Sequence, residues 1–310
     1  MTLRTAFLFP GQGAQTPGFL HALPEHEAVR ATFRDAQQTL PLNPADMDSG
    51  AFLNSTVSVQ LGVLIAGVAY ARVLAAKQVF PSAVAGLSVG AFTAAVACGA
   101  LNFATALQLV RLRAQTMEEA YGQGGYGMMA ILGLREAGVQ KLIAENARPD
   151  QPLYLASVNA PAEIIVAGSD SGLAAASQAA SRAGARARRL SVSVPSHCAL
   201  LDEVSMRLRR AMAEVRLDPP RVPYISNLRA RALTSTDDIA EDLIFNVSRT
   251  VRWHESVTLL YELGVRVFVE APPGQALSNL VKNEFPRARA LAAAAVHLDS
   301  IVHLAGQEPV

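Results

Sequence analysis

Gly86-Leu87-Ser88-Val89-Gly90 follows the apolar run Ala83 to Ala85 and precedes the small-residue stretch Ala91 to Val96. A serine at a sharp strand-to-helix turn has the pattern of a nucleophile elbow. Glycines two residues to either side allow the tight backbone path. The turn aims the hydroxyl out of the sheet and lets the N–H of the next residue, Val89, face a developing oxyanion. Ser88 is therefore the candidate nucleophile. The plain alternative is a Gly/Ser-rich turn with no chemistry.

A serine nucleophile needs a neutral imidazole to take its proton. The sequence offers six. His21 and His26 flank a Leu-Pro-Glu segment that reads as exposed, and His254 reads as a helix start. His197, in Ser193-Val194-Pro195-Ser196-His197, follows a strand that ends at proline, which places it at a cleft rim. His297 and His303 lie near the C-terminus, where an ordinary α/β-hydrolase keeps its base. Chain order does not choose between His197 and these two. Cys198 is a weaker candidate nucleophile, because neighbours in sequence point in different directions. Cys98 reads as a small core residue.

A third chemical group comes from helical spacing. Asn102 can cap a helix over 103–121, on which Gln108, Arg111, Gln115 and Glu118 form a polar row. Ala106, Leu109, Arg113 and Met117 form a largely apolar one, so Arg113 is expected to point inward. A buried arginine needs a partner. One reading is a structural ion pair; the other is a substrate carboxylate gripped by the guanidinium fork.

The elements that position these groups alternate strand and helix, which argues for a parallel α/β sheet. A strand over 6–9 ends in Pro10-Gly11-Gln12-Gly13 and puts Gln12 just past its end. A helix over 57–76 contains Gln60, and a strand over 83–87 leads into the elbow. After the glycine-rich junction at 122–127 the rhythm changes. Strands are expected at 128–134, 153–158, 163–167 and 189–194, with helices at 135–146 and 172–183. That βαββαβ order is the ferredoxin-like unit. The expected division is a large α/β unit of residues 1–126 and 196–310, with a small unit of residues 127–195 inserted and the active site in the cleft between them. Beyond it, a helix is expected over 201–215, a short strand over 224–227, helices at 237–246 and 254–263, and a strand at 265–270. Ala288 to Ala295 reads only as an alanine-rich stretch.

Composition narrows the function class. A net charge of +1 with 17% charged residues gives no reason to expect nucleic acid or an anionic membrane as partner. Arg182, Arg186, Arg188 and Arg189 could offer a local basic face to coenzyme phosphates or an acidic carrier, or form a solvated edge. Two cysteines make no disulfide framework, and Pro10 interrupts the first apolar segment before a signal-peptide core can form. No apolar stretch reaches membrane-span length free of Gly, Pro or charge. A cytoplasmic setting is expected.

Taken together these residues resemble the malonyl-CoA:acyl carrier protein transacylase family. The resemblance rests on Phe9-Pro10-Gly11-Gln12-Gly13-Ala14-Gln15, the elbow Gly86 to Gly90, and Arg113 with Met117. It continues in Asn159-Ala160-Pro161 through Val166-Ala167-Gly168, Val194-Pro195-Ser196-His197-Cys198, Val251-Arg252-Trp253 and Pro273-Gly274. It implies an α/β-hydrolase-like large domain with a ferredoxin-like insertion and a Ser88–His197 dyad with no third carboxylate. It also implies that the backbone carbonyl of Asn246 orients the histidine, where relatives commonly have glutamine. Gln12 and Val89 would supply oxyanion-hole N–H groups, Arg113 would hold the malonyl carboxylate, and Gln60, Met117 and Asn159 would line the pocket. No cofactor or metal is implied. Coenzyme A arrives as a thioester substrate, and a phosphopantetheine-type thiol on a carrier is the acceptor.

Leu87 and Val89 stand where the family usually has histidine and leucine around the serine, and Ala91 where an acidic residue is common. With Leu20-His21-Ala22-Leu23-Pro24, this variant looks like the transacylase (epsilon) subunit of malonate decarboxylase. That implies a carrier subunit bearing a phosphoribosyl-dephospho-CoA group and a transient association with a decarboxylase complex. The alternatives are a fatty-acid-synthesis transacylase, an esterase or thioesterase using His297 or His303, and a noncatalytic complex subunit.

Overall fold

The computed structural model describes residues 5–306. Strands β1 (Thr5–Phe9), β2 (Ala83–Gly86), β7 (Tyr224–Ile225), β8 (Ala232–Leu233), β9 (Val267–Glu270) and β10 (Arg289–Ala292) form one sheet. Their order is β10-β9-β1-β2-β7-β8, parallel throughout except for β8. Both faces of β1 are buried, as its unbroken apolar sequence requires of a central parallel strand. Successive side chains serve different cores. Phe7 and Phe9 join the larger one with Leu64 and Phe92; Ala6 and Leu8 join a second with Trp253, Val257 and Leu277.

Helix α2 (Thr56–Ala76) is apolar on every side because it lies inside the protein, packed by α1 (Glu27–Thr39), α3 (Gly90–Ala97) and α4 (Phe103–Tyr121). It is long and apolar enough to cross a membrane, contrary to the sequence expectation, because Gly62 and Gly67 do not interrupt it. Most of it is buried against other parts of the chain. Gly67 is where α2 meets the elbow's helix, since a Cβ there would lie 2.6 Å from Thr93.

The second sheet contains β3 (Tyr126–Leu132), β4 (Leu153–Ala160), β5 (Glu163–Ser169) and β6 (Arg186–Arg189), with α5 (Glu136–Asn146) and α6 (Asp170–Arg182) on one face. All its pairings are antiparallel, in the order β4-β5-β3-β6, so the βαββαβ unit is present. Its last strand is not the expected 189–194 but Arg186–Arg189. The alternation Leu190, Val192, Val194 imitates a strand, yet only the Leu190 N–H continues the pairing with β3. The chain then leaves the sheet, and Val194 joins the large core. This departure delivers Pro195–Cys198 to the serine's side of the molecule. The basic edge is partly neutralised, as Arg189 pairs with Asp170 at 2.5 Å.

Residues 250–252 fasten the two sheets together. Val158 N–H donates to Val251 O and Val251 N–H to Ala156 O, while Arg252 N–H donates to Asn227 O. The strand expected over 224–227 stops at Ile225. Ala288–Ala295 contains β10, because β9 offers a parallel edge that a backbone with small side chains can join. Helices α7 (Asp202–Met212), α8 (Thr236–Phe245), α9 (Trp253–Glu262), α10 (Ala276–Glu284) and α11 (Leu298–Gly306) complete the described chain.

Candidate active site

Ser88 occupies the left-handed region at φ 58°. For a non-glycine residue this costs about 1–3 kcal/mol, so the surroundings must impose it. They do so by close backbone approach. A Cβ on Gly86 would lie 2.0 Å from Gly90 O, and one on Gly90 would lie 2.2 Å from Phe9 O. Leu87 N–H donates to Phe9 O at 2.9 Å, tying the elbow to β1. Ser88 N–H donates to Asn227 Oδ1 at 3.0 Å.

His197 is also left-handed, at φ 64°. Its N–H donates to Val247 O at 2.7 Å, and its ring Nδ1 contacts the carbonyl oxygen of Asn246, the residue that closes α8. A carbonyl only accepts, so the proton sits on Nδ1 and Nε2 keeps its lone pair. Burial, and secondarily the charge of Arg113, push the imidazole pKa down to about 3, against the opposite pull of the Asn246 carbonyl. The ring is a neutral base at ordinary pH.

Arg113 points inward from α4 and is 1% exposed. Its Nη1 donates to Gln60 Oε1 at 2.5 Å and its Nη2 to Ser88 Oγ at 3.1 Å, while Nε has no partner. No carboxylate among the described residues forms an ion pair with it. The structural ion pair entertained from sequence is therefore absent among these residues. Burial without a counter-charge lowers the guanidinium pKa to about 9. A buried cation with free donor capacity favours an incoming anion.

Gln60 is the hub of this pocket, for its Nε2 donates to Gln12 Oε1 at 3.3 Å and to Met117 Sδ at 3.5 Å. Ser88, Arg113, Gln60, Gln12 and Met117 are thus drawn into one hydrogen-bonded locus; the His197 ring lies near enough to feel the charge of Arg113, and Val89 follows the serine at the start of α3. No described group accepts the N–H of Gln12 or of Val89. Asn159 shares none of these hydrogen bonds. Its amide accepts from Ser157 Oγ and donates to Glu163, and it borders a shallow pocket with Trp253 and His254.

The other nucleophile and base candidates lie elsewhere. His297 and His303 are exposed, and His297 lines a separate cleft of about 400 Å³ with Tyr70 and Pro273 that does not include Ser88. His21 pairs with Asp48, and His26 caps α1. Burial raises the Cys198 thiol pKa to about 12 and that of Cys98 above its usual value, which leaves neither as a thiolate.

Two residues join the site without a sequence signal that marks them. Asn227 accepts from Ser88 N–H, and its Nδ2 donates to Gly86 O at 2.8 Å. Asp242, 2% exposed, accepts from Tyr224 Oη, Ser226 Oγ and the N–H groups of Asn227 and Leu228. The Ser-Asn-Leu run after a two-residue strand carries no periodicity that would mark them. The only local signal was a pair of polar residues immediately after an apolar strand.

The acyl transferase domain family matches residues 6–297. The malonyl CoA-acyl carrier protein transacylase of Escherichia coli is 34% identical over 283 residues, covering 89% of this chain and 91% of that one. The crystal structure of an acyl carrier protein S-malonyltransferase from Vibrio cholerae superposes with a TM-score of 0.90 at 33% identity, covering 96% and 99%. A malonyl-transacylase solved with its type II PKS acyl carrier protein gives a TM-score of 0.90 at 32% identity, covering 97% and 98%.

Proposed function

The chain belongs to the acyl transferase domain family, among the malonyl-CoA:acyl carrier protein transacylases, and on that premise we propose a ping-pong malonyl transfer through Ser88. His197 Nε2 takes the hydroxyl proton as Ser88 Oγ attacks the thioester carbonyl of malonyl-CoA. The oxyanion is received by the N–H groups of Gln12 and Val89. The C–S bond then breaks, the coenzyme A sulfur takes the proton from His197, and a malonyl-Ser88 ester remains. The carrier's thiol repeats the sequence in reverse, and the acyl group leaves on its sulfur.

The observation that carries this reading is Arg113, which is buried, has no carboxylate partner among the described residues and is hydrogen-bonded to the nucleophile itself. A malonyl group bound by its free carboxylate has its thioester carbon beside Ser88. An acetyl group leaves the cation unpaired, a penalty of about 2–5 kcal/mol by analogy with truncated buried charge pairs. A neutral acyl ester, the substrate of a plain esterase, makes no use of such a cation.

For the acceptor we infer a carrier of the malonate decarboxylase type, because Leu87, Val89 and Ala91 depart from the usual elbow toward that subunit. A fatty-acid acyl carrier protein is the second reading, favoured by the relatives' own activity. One experiment tests both levels. Transfer of malonyl and acetyl groups by wild type and Arg113→Ala, to each carrier in turn, should show the variant losing about 30-fold or more for malonyl and little for acetyl. Equal loss for both acyl groups overturns the role of Arg113. Faster wild-type transfer to the fatty-acid carrier overturns the carrier assignment alone.

A further inference from the structure

The strained turn at Ser88 is gripped by one side chain from a distant part of the chain. Asn227 Oδ1 accepts from Ser88 N–H at 3.0 Å, and Asn227 Nδ2 donates to Gly86 O at 2.8 Å. The amide therefore bridges the residue before the elbow's bend and the nucleophile, on both sides of Leu87. It satisfies a donor and an acceptor that the left-handed turn takes out of the sheet ladder.

Asn227 is itself fixed through its backbone on both sides. Its N–H donates to Asp242 Oδ2 at 3.2 Å, its carbonyl accepts from Arg252 N–H at 2.7 Å, and the residue is 2% exposed. Asp242 is a buried carboxylate whose partners are all hydrogen-bond donors from the segment Tyr224–Leu228. It belongs to α8, the helix whose closing residue, Asn246, orients the His197 ring. One helix thus carries the hold on the base and, through Asp242 and Asn227, the hold on the nucleophile.

We propose that Asn227 is a positioning residue that keeps Ser88 in its left-handed, attack-ready turn, with Asp242 anchoring it so that serine and histidine are set from the same helix. This rests on Ser88 being the nucleophile of the transfer proposed above. Its consequence is specific. Loss of the grip slows attack by Ser88 without weakening the binding of malonyl through Arg113, which Asn227 does not touch.

The test is the single-turnover rate of Ser88 modification in Asn227→Ala and in the near-isosteric Asn227→Asp, which keeps an acceptor for Ser88 N–H but sets an oxygen against Gly86 O. Two reagents are used: malonyl-CoA, and a neutral fluorophosphonate that reports the elbow without needing Arg113. The expected result is full labelling amplitude with a rate about 10- to 100-fold below wild type for both reagents, and an unchanged malonyl-CoA concentration for half-maximal single-turnover rate. Reduced amplitude with an unchanged rate in the reacting fraction would mean that Asn227 only supports folding, and would overturn the proposal. If Asn227→Ala does not fold, Asn227→Asp decides by the same criterion. Wild type modified at Ser88 by the fluorophosphonate but not by malonyl-CoA overturns the malonyl reading and leaves the positioning role to be decided by the variants. Wild type modified at Ser88 by neither overturns both.

Discussion

A guanidinium taken out of water without a carboxylate opposite is costly, and neutral hydrogen bonds recover only part of that cost. Arg113 is in this condition, with Gln60 Oε1 and Ser88 Oγ as its only side-chain acceptors among the described residues. The identity of residue 60 therefore sets how strongly the pocket wants an anion. Gln60→Glu would place a permanent carboxylate against Nη1 with almost no change in volume. The expected outcome is a KM for malonyl-CoA raised by about tenfold or more, which corresponds to roughly 1.4 kcal/mol of lost differential binding, with the melting temperature held or raised. Steady-state kinetics beside a thermal melt checks it, and an unchanged KM would mean that Arg113 does not bind the substrate carboxylate. The inward direction of Arg113 was legible from residue spacing, because rows at three and four on a helix fix which side chains share a face. The absence of an acid opposite was not legible, since it depends on every other element that packs against α4.

The elbow is a property of three elements pressed together: the end of β1, the end of β2 and the first turn of α3. At Gly90 a methyl group would meet Phe9 O at 2.2 Å and Pro10 O at 2.7 Å, both backbone atoms that cannot swing away. Gly90→Ala should therefore push α3 off β1, at a cost of about 1–3 kcal/mol or more. It should also remove the Val89 N–H from the oxyanion position, so activity should fall further than the melting temperature implies. Equal loss of activity and folded fraction would show that the turn can shift without harm to the site. Elements with a strong internal signal are legible in the chain: the apolar strand at β1, the Asn102 cap of α4, and the turn at the serine between glycines. The bounds of β6 are not legible, because period-two alternation in 190–194 serves two different cores rather than one sheet face. Strand β10 carries no pattern of its own, because small residues show none until β9 supplies an edge. Asn227 escaped for a related reason: its partners at Gly86, Ser88 and Asp242 come from separate parts of the chain.

At the scale of the whole molecule, the base is assembled from two directions. The chain leaving the small sheet brings His197, and the large unit brings Asn246 and Val247 to receive it. This buried assembly ties folding to pH in a definite sense. In the unfolded chain the imidazole takes a proton near pH 6.5, whereas in the folded protein burial holds its pKa down to about 3. Between those values the unfolded state binds the extra proton, so this group makes stability fall as pH falls, by about 1.4 kcal/mol per pH unit once well below 6.5. Buried Asp242 and Glu270 act in the opposite sense, because burial raises their pKa values and their protonation favours the folded state in acid. A comparison that leaves both in place isolates the histidine. His197→Gln should melt like wild type, apart from a constant offset, above pH 7, and should lose less stability than wild type between about pH 6 and 4.5. The gap should widen by on the order of a few °C per pH unit. Parallel melting curves for the two proteins across that range would mean that the imidazole protonates in place, and that the neutral, preset base required for attack by Ser88 is not what the fold provides.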